Sequence, residues 1–146
     1  MKKIVLLINI FMTMIVISIV FCVLCGIRPY VVLSGSMEPS ILTGSICLVD
    51  TKADYDCIKE GDVIAYKKGG NTLITHRVIS KTREGLVTKG DANDHSDGIS
   101  VTEHNFTGKT IGSIPYLGYF LNKLRNPIFL ISFIGIVTAI KIIKNL

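Results

Sequence analysis

"AYKKGGNTLITHRVI", residues 65–79, decides the fold. Two runs rich in β-branched and aromatic residues flank Gly69-Gly70-Asn71. Glycine reaches positive φ without a Cβ clash and asparagine tolerates it, so this centre is turn chemistry. The stretch predicts a β-hairpin with its turn at those three residues. The same grammar continues on both sides. "PYVVLSG" (29–35), "SICLVDT" (45–51), "DVIAYKK" (62–68), "TLITHRVISKT" (72–82), "GLVTKGD" (85–91) and "KTIGSIPYLGY" (109–119) are short runs separated by Gly-, Asn-, Asp- and Lys-rich breaks. That spacing predicts a small antiparallel β domain. No helical period of useful length and no internal repeat appears within it.

The two ends read differently. Residues 4–27, "IVLLINIFMTMIVISIVFCVLCGI", hold no charged side chain. At ~1.5 Å per residue, about 20 residues cross a bilayer core. A cleavable signal peptide has a shorter apolar stretch, ~7–15 residues, ending in small residues. This run is longer and ends in Cys25-Gly26-Ile27, so residues 1–27 are expected to be an uncleaved membrane anchor. At the other end "NPIFLISFIGIVTAIKIIKNL", 126–146, carries an apolar run interrupted at Lys141. With Lys141 snorkelling to the headgroups it is long enough to span. The expected organisation is an anchor over 1–27, a β-rich domain over 28–122 and a second transmembrane segment over 123–146. A buried or interfacial helix is the alternative for the last.

Charge sharpens this division. The 146-residue chain carries a net +5, and 49% of its residues are hydrophobic. All 11 acidic residues fall between Glu38 and Glu103, against eight Lys and Arg there, leaving that segment at −3. The other eight basic residues flank it, beside the apolar ends, where anionic lipid headgroups would lie. A nucleic-acid binder places its basic patch on the folded domain instead, so that class is excluded. Lys2 and Lys3 precede the first span and a single Arg28 follows it. By the excess of cationic residues on the cytoplasmic side, the N-terminus stays cytoplasmic and residues 28–120 are exported. A second span would return the C-terminus, making a multi-pass protein of the plasma membrane.

Cysteines make no framework. Cys22 and Cys25 read as small hydrophobes inside the first run. Cys47 and Cys57 lie in the exported part and are the one pair open to bonding. No zinc spacing appears, and no cofactor or metal is called for. Asp91, Asn93, Asp94 and Asp97 resemble a calcium loop, but the later positions of that pattern fall on His95, Ser96 and Thr102 and do not match it.

Directly after the anchor comes "VVLSGSMEPS", 31–40. Its Ser, Gly and Pro suit a plain turn. They also suit a nucleophile held at a membrane surface. Peptide-bond hydrolysis needs a nucleophile, a proton acceptor and donors for the oxyanion. The domain offers Ser34, Ser36, Ser40 and Ser45, with His76, His95 and His104 and several aspartates. Composition alone does not choose among them.

The ordered set does. Apolar anchor, "SGSMEP" (34–39), "GDVIAY" (61–66), "THRV" (75–78), "KGDANDHSD" (89–97) and a late apolar segment resemble signal peptidase I over nearly the whole chain. In that family the serine before methionine is the nucleophile, which maps onto Ser36. The common bacterial branch pairs it with a lysine before the arginine. Here His76 stands in that place, as in the archaeal and endoplasmic-reticulum branch; Lys67, Lys68 and Lys81 do not occupy it. The acidic box maps its two aspartates onto Asp91 and Asp97. The resemblance implies Asp97 as the catalytic acid and Asp91 as a supporting group, with Asp94 as the rival carboxylate. It further implies Ser34 as a second oxyanion donor beside the Ser36 N–H, and no metal or cofactor. The implied substrate is the signal peptide of an exported preprotein, read through small side chains at the first and third positions before the cut. Val31, Val32, Leu33 and Ile74 are the expected pocket walls. The phospholipid bilayer is the other implied partner, and no partner subunit can be named. The competing class is a non-catalytic, membrane-anchored β module for binding or structure. It expects Ser36, His76 and Asp97 to be unrelated in space.

Overall fold

The computed structural model describes residues 2–70 and 72–125, with Pro127, Ser132 and Gly135 beyond them. Helix α1 (Lys2–Leu24) opens the chain. Seven strands follow: β1 (Ile27–Val31), β2 (Ile46–Asp50), β3 (Val63–Lys67), β4 (Leu73–Thr82), β5 (Gly85–Lys89), β6 (Ser100–Val101) and β7 (Phe106–Ile114). Helix α2 (Leu117–Arg125) closes the described part.

The strands form one sheet in the order β1-β2-β7-β3-β4-β5-β6, and every adjacent pair is antiparallel. The fold is therefore a small antiparallel β domain carrying an N-terminal apolar helix. β3 and β4 form the expected hairpin, with Tyr66 opposite Ile74 and Ile64 opposite His76. Of its expected turn, Asn71 lies outside the described residues, while Gly69 and Gly70 both take positive φ.

Side chains alternate across the strands, and both faces of the central strands are filled. Ile64 and Tyr66 join Ile58, Val78, Leu86 and Val101 in one apolar cluster. Ala65, between them in sequence, faces the other cluster with Met37, Ile41, Cys47 and Val49. Bulges between Leu48 and Val49, Ala65 and Tyr66, and Val78 and Ser80 coil the sheet enough to enclose both.

Helix α1 is exposed along its length and is long and apolar enough to cross a membrane. It ends three residues before the expected limit of the anchor. Gly26, at φ 92°, breaks the helix, and Ile27 already pairs with Asp50 in the sheet. The run 109–119, expected as one strand, serves two elements. β7 stops at Ile114, Pro115 offers no N–H to a ladder, and Tyr116 turns the chain at φ 61°. Leu117, Phe120, Leu121 and Leu124 then recur at helical spacing, so α2 is a helix that the sequence reading did not expect. The two-residue β6 was not foreseen either. The proposed second span, 123–146, lies outside the described residues apart from Lys123–Arg125 at the end of α2 and the isolated residues Pro127, Ser132 and Gly135.

Candidate active site

The "SGSMEP" stretch, 34–39, forms a tight turn after β1. Met37 and Ile41 are its buried pegs, 2% and 6% exposed, in the cluster beneath. Glu38 ties the turn across its mouth, accepting from Thr43 N–H at 3.1 Å and Thr43 Oγ1 at 2.8 Å. The peptide bond before Pro39 is cis. The acidic box clamps the other side: Ala92 N–H donates to the Ser36 carbonyl at 2.9 Å. Gly90 permits that approach, since a Cβ there would stand 2.5 Å from the same oxygen. Ser36 is thus fixed from below and from the side, with its hydroxyl left to face β4.

His76 occupies an inward position of β4, in alternation with Ile74 and Val78, and is only 6% exposed. Its Nε2 lies 3.0 Å from Ser36 Oγ. Its Nδ1 lies 2.8 and 2.7 Å from the two carboxylate oxygens of Asp97. With the proton on Nδ1, the ring donates to Asp97 and leaves Nε2 as acceptor for the Ser36 hydroxyl. Ser34 Oγ is 3.3 Å from Ser36 Oγ, on the exposed side.

Asp97 reaches His76 from a loop. Its own N–H donates to the Thr88 carbonyl on β5 at 2.9 Å, and its carboxylate receives Thr88 Oγ1 and, at 2.8 Å, the Tyr66 hydroxyl. Burial works to raise this carboxyl. The hydrogen bonds from Thr88, His76 and Tyr66 outweigh it together, leaving Asp97 below the usual carboxylate range. It is an anion at any pH near neutrality.

The other expected residues fall elsewhere. Asp91 forms a two-bond pair with Arg77, 2.8 Å to Nε and 2.6 Å to Nη2, and this pair holds Asp91 low. Arg77 also donates to the Gly61 carbonyl at 2.9 Å and to Ser40 Oγ at 3.3 Å. Asp91 therefore ties the acidic box to β4 without touching His76. Asp94, His95 and His104 are exposed, and Ser45 is buried with its hydroxyl unpaired. All four cysteines are free, so the bond left open between Cys47 and Cys57 does not form. Cys47 is a core residue of β2, where burial pushes its thiol up to about 11, and Cys57 is exposed. Among the described residues no cluster of three His, Cys, Asp or Glu could hold a metal ion.

A cleft of about 680 Å³ runs up to Ser36 and His76. Val31, Val32 and Leu33 form one wall and Leu73 and Ile74 the other, with Met37 between. Its lining is mainly apolar, and its walls are the ends of two strands, so an extended chain would fit between them.

Tyr66 and Thr88 were not singled out from sequence. Tyr66 closes the "GDVIAY" box and Thr88 precedes "KGD", and both read as strand interior. Their signal was a hydroxyl at an inward position on strands flanking His76, where an apolar side chain would pack as well.

The family model described as signal peptidase, peptidase S26, matches residues 3–85. Signal peptidase I W of Bacillus subtilis is 40% identical over 85 residues, 56% of this chain and 45% of that protein. The signal peptidase complex catalytic subunit SEC11 of Metarhizium robertsii is 37% identical over 101 residues, 61% of this chain and 59% of that one. Its counterpart in Lodderomyces elongisporus is 29% identical over 130 residues, 79% and 76% of the two. The chain spans about half the length of the first two relatives. The match to the family model takes in Ser36 and His76 and ends before Asp97.

Proposed function

We propose a function on this premise: the chain belongs to the signal peptidase family, peptidase S26. Within it the chain is similar to the branch that includes the SEC11 catalytic subunits. Our reading is that it is a membrane-anchored serine endopeptidase that removes signal peptides from exported preproteins. The observation that carries it is the contact chain Ser36 Oγ to His76 Nε2 at 3.0 Å and His76 Nδ1 to Asp97 at 2.7 Å.

The preprotein segment lies extended in the cleft, with the small side chains before its cut against Val31, Leu33 and Ile74. His76 Nε2 takes the Ser36 proton as Oγ attacks the scissile carbonyl. Asp97 holds the proton on Nδ1 and stabilises the imidazolium that forms. The Ser36 N–H, with Ser34 Oγ beside it, stabilises the oxyanion. The tetrahedral intermediate collapses, and His76 returns the proton to the leaving amine. That leaves the signal peptide esterified to Ser36. Water, deprotonated by His76, then releases it. No cofactor enters any step.

Position supports the same reading. α1 delivers the chain to the sheet at Ile27, nine residues before Ser36. The cleft wall of Val31 and Leu33 adjoins exposed Tyr119 and Leu121 of α2, an apolar surface suited to lie near lipid. The domain faces the side of the membrane opposite Lys2 and Lys3, where a translocated cleavage site emerges.

The purified full chain in detergent, incubated with a labelled preprotein, should yield mature protein and free signal peptide. Ser36→Ala should cleave none of it while retaining its fold. Cleavage by Ser36→Ala at the unaltered rate would overturn the mechanism.

A further inference from the structure

We propose that Tyr66 is a positioning residue for the acid–base pair, its phenol holding the Asp97 carboxylate against His76 Nδ1 with Thr88 as the second brace. The inference rests on the roles given above to Ser36, His76 and Asp97.

Three neighbouring strands set up the brace. Ile64 stands opposite His76 and Tyr66 opposite Ile74, while Val78 stands opposite Thr88. Alternation then puts Tyr66, His76 and Thr88 on one face of β3, β4 and β5. Asp97 descends onto this face from its loop. Oδ2 receives the Tyr66 hydroxyl at 2.8 Å and the Thr88 hydroxyl, besides His76 Nδ1 at 2.7 Å. Tyr66 and Thr88 are both 0% exposed. A buried phenol needs a partner, and phenylalanine would fill the same core space without that demand. The partner chosen here is the carboxylate rather than a backbone carbonyl. A loop carboxylate with no such donors could rotate about its own bonds and lose its square approach to the ring.

The charge type of the brace matters as much as its place. Two neutral hydroxyls stabilise the Asp97 anion without adding a cation beside the imidazolium that forms during attack. The nearby cations are handled separately. From the end of β3, Lys68 Nζ meets the backbone carbonyl of Asp97 at 3.4 Å, and Arg77 on β4 is paired with Asp91. Burial, together with the neighbouring Asp97 charge, holds the Tyr66 phenol above its usual range, so it stays a donor.

The brace disperses the negative charge on Asp97. Without the phenol the carboxylate loses one of its two hydroxyl donors and is free to turn from the ring. Tyr66→Phe should therefore lower kcat about tenfold or more with little change in KM, the effect of losing a hydrogen bond to a charged group.

The test uses the full chain in detergent with a labelled preprotein, in single turnover with enzyme in excess. It compares Tyr66→Phe, Thr88→Val, Asp97→Asn and the double variant Tyr66→Phe/Asp97→Asn. The expected result is a kcat loss with little change in KM in both Tyr66→Phe and Thr88→Val. In the Asp97→Asn background, Tyr66→Phe should cost nothing further, since its effect runs through that carboxylate. Equal losses in both backgrounds would mean that Tyr66 only fills the core. An inactive Asp97→Asn beside a Tyr66→Phe of unaltered kcat would overturn the brace alone. A fully active Asp97→Asn would overturn the triad reading and the brace with it.

Discussion

Asp97 and Asp94 differ by three positions in one loop, and the sequence left the choice between them open. Geometry separates them: Asp97 meets both the ring of His76 and the floor of the sheet, while Asp94 is exposed. Asp97→Asn should lose most activity, on the order of 10⁴ in kcat by comparison with the same change in another triad enzyme. Asp94→Asn should keep activity close to the unaltered rate. Comparing the two in the preprotein assay decides the assignment, and the reverse order would make it wrong. The same contacts make a stability prediction. Asp97 titrates below its unfolded value because its hydrogen bonds outweigh its burial. Its stabilising contribution is therefore complete above the ordinary carboxylate range, about pH 4, and is lost as pH falls through the lowered folded value. In denaturant titrations Asp97→Asn should be less stable than the unaltered chain at pH 7 and closer to it at pH 3. A constant gap would mean that the carboxylate's charge contributes nothing to the fold. At this scale Ser36 and His76 were legible because each sits in a short ordered box. Tyr66 and Thr88 were not, because their partner is a loop residue brought in from 31 and nine positions away.

Two loops meet at Ser36, and their junction is the element most exposed to a small change. The turn of Ser36 and the acidic box touch through Ala92 N–H and the Ser36 carbonyl, with Gly90 making room. In Gly90→Ala the new Cβ would lie 2.5 Å from that carbonyl and 2.7 Å from Asn93 Nδ2. Backbone atoms do not yield as a flexible side chain does, so one loop must move off the other. We predict a kcat/KM loss of about tenfold or more, since a displacement near 1 Å at a nucleophile is worth up to ~10². Gly98→Ala provides the control: it is strained by φ 68° but meets nothing within 4 Å. It should reduce stability by ~1 kcal/mol with activity retained at a temperature where the chain stays folded. Equal activity losses in both variants would show that the junction has no special role. The strands themselves were readable because β-branched runs and Gly-rich breaks are local signals. What escaped was set by single residues. Pro115 and Tyr116 end β7 inside a run that looked continuous, and β6 is too short to show a period.

Across the whole molecule the decisive connection is the one between helix and sheet. Only Cys25 and Gly26 separate α1 from β1, and the passage is tied down on the domain side. Lys52 Nζ donates to the Leu24 carbonyl at 3.0 Å, at the end of the helix where a cation is favoured. Thr51 donates to the Gly26 carbonyl through N–H at 3.0 Å and through Oγ1 at 2.8 Å. A Cβ on Gly26 would collide with the Lys52 stem at 2.7 Å, so the glycine is what lets that lysine close over the junction. The sequence showed an apolar run followed by a small polar turn, but not this clasp, which depends on β2 returning beside the start of β1. On the proposed reading, with α1 in the membrane, a clasped junction would fix the height of the cleft over the bilayer. Inserting Gly-Ser-Gly-Ser after Cys25 would break that relation, since four residues add up to ~13 Å of slack. Ser36, His76 and Asp97 are untouched by the insertion. Cleavage of a short soluble peptide carrying the processing site should therefore continue at the unaltered rate. Processing of a preprotein whose apolar segment is embedded in lipid vesicles should fall, because cleft and cleavage site no longer share one depth. Loss of both activities would mean that the insertion had damaged the domain, and loss of neither would mean that the anchor only retains the enzyme at the membrane without setting its reach.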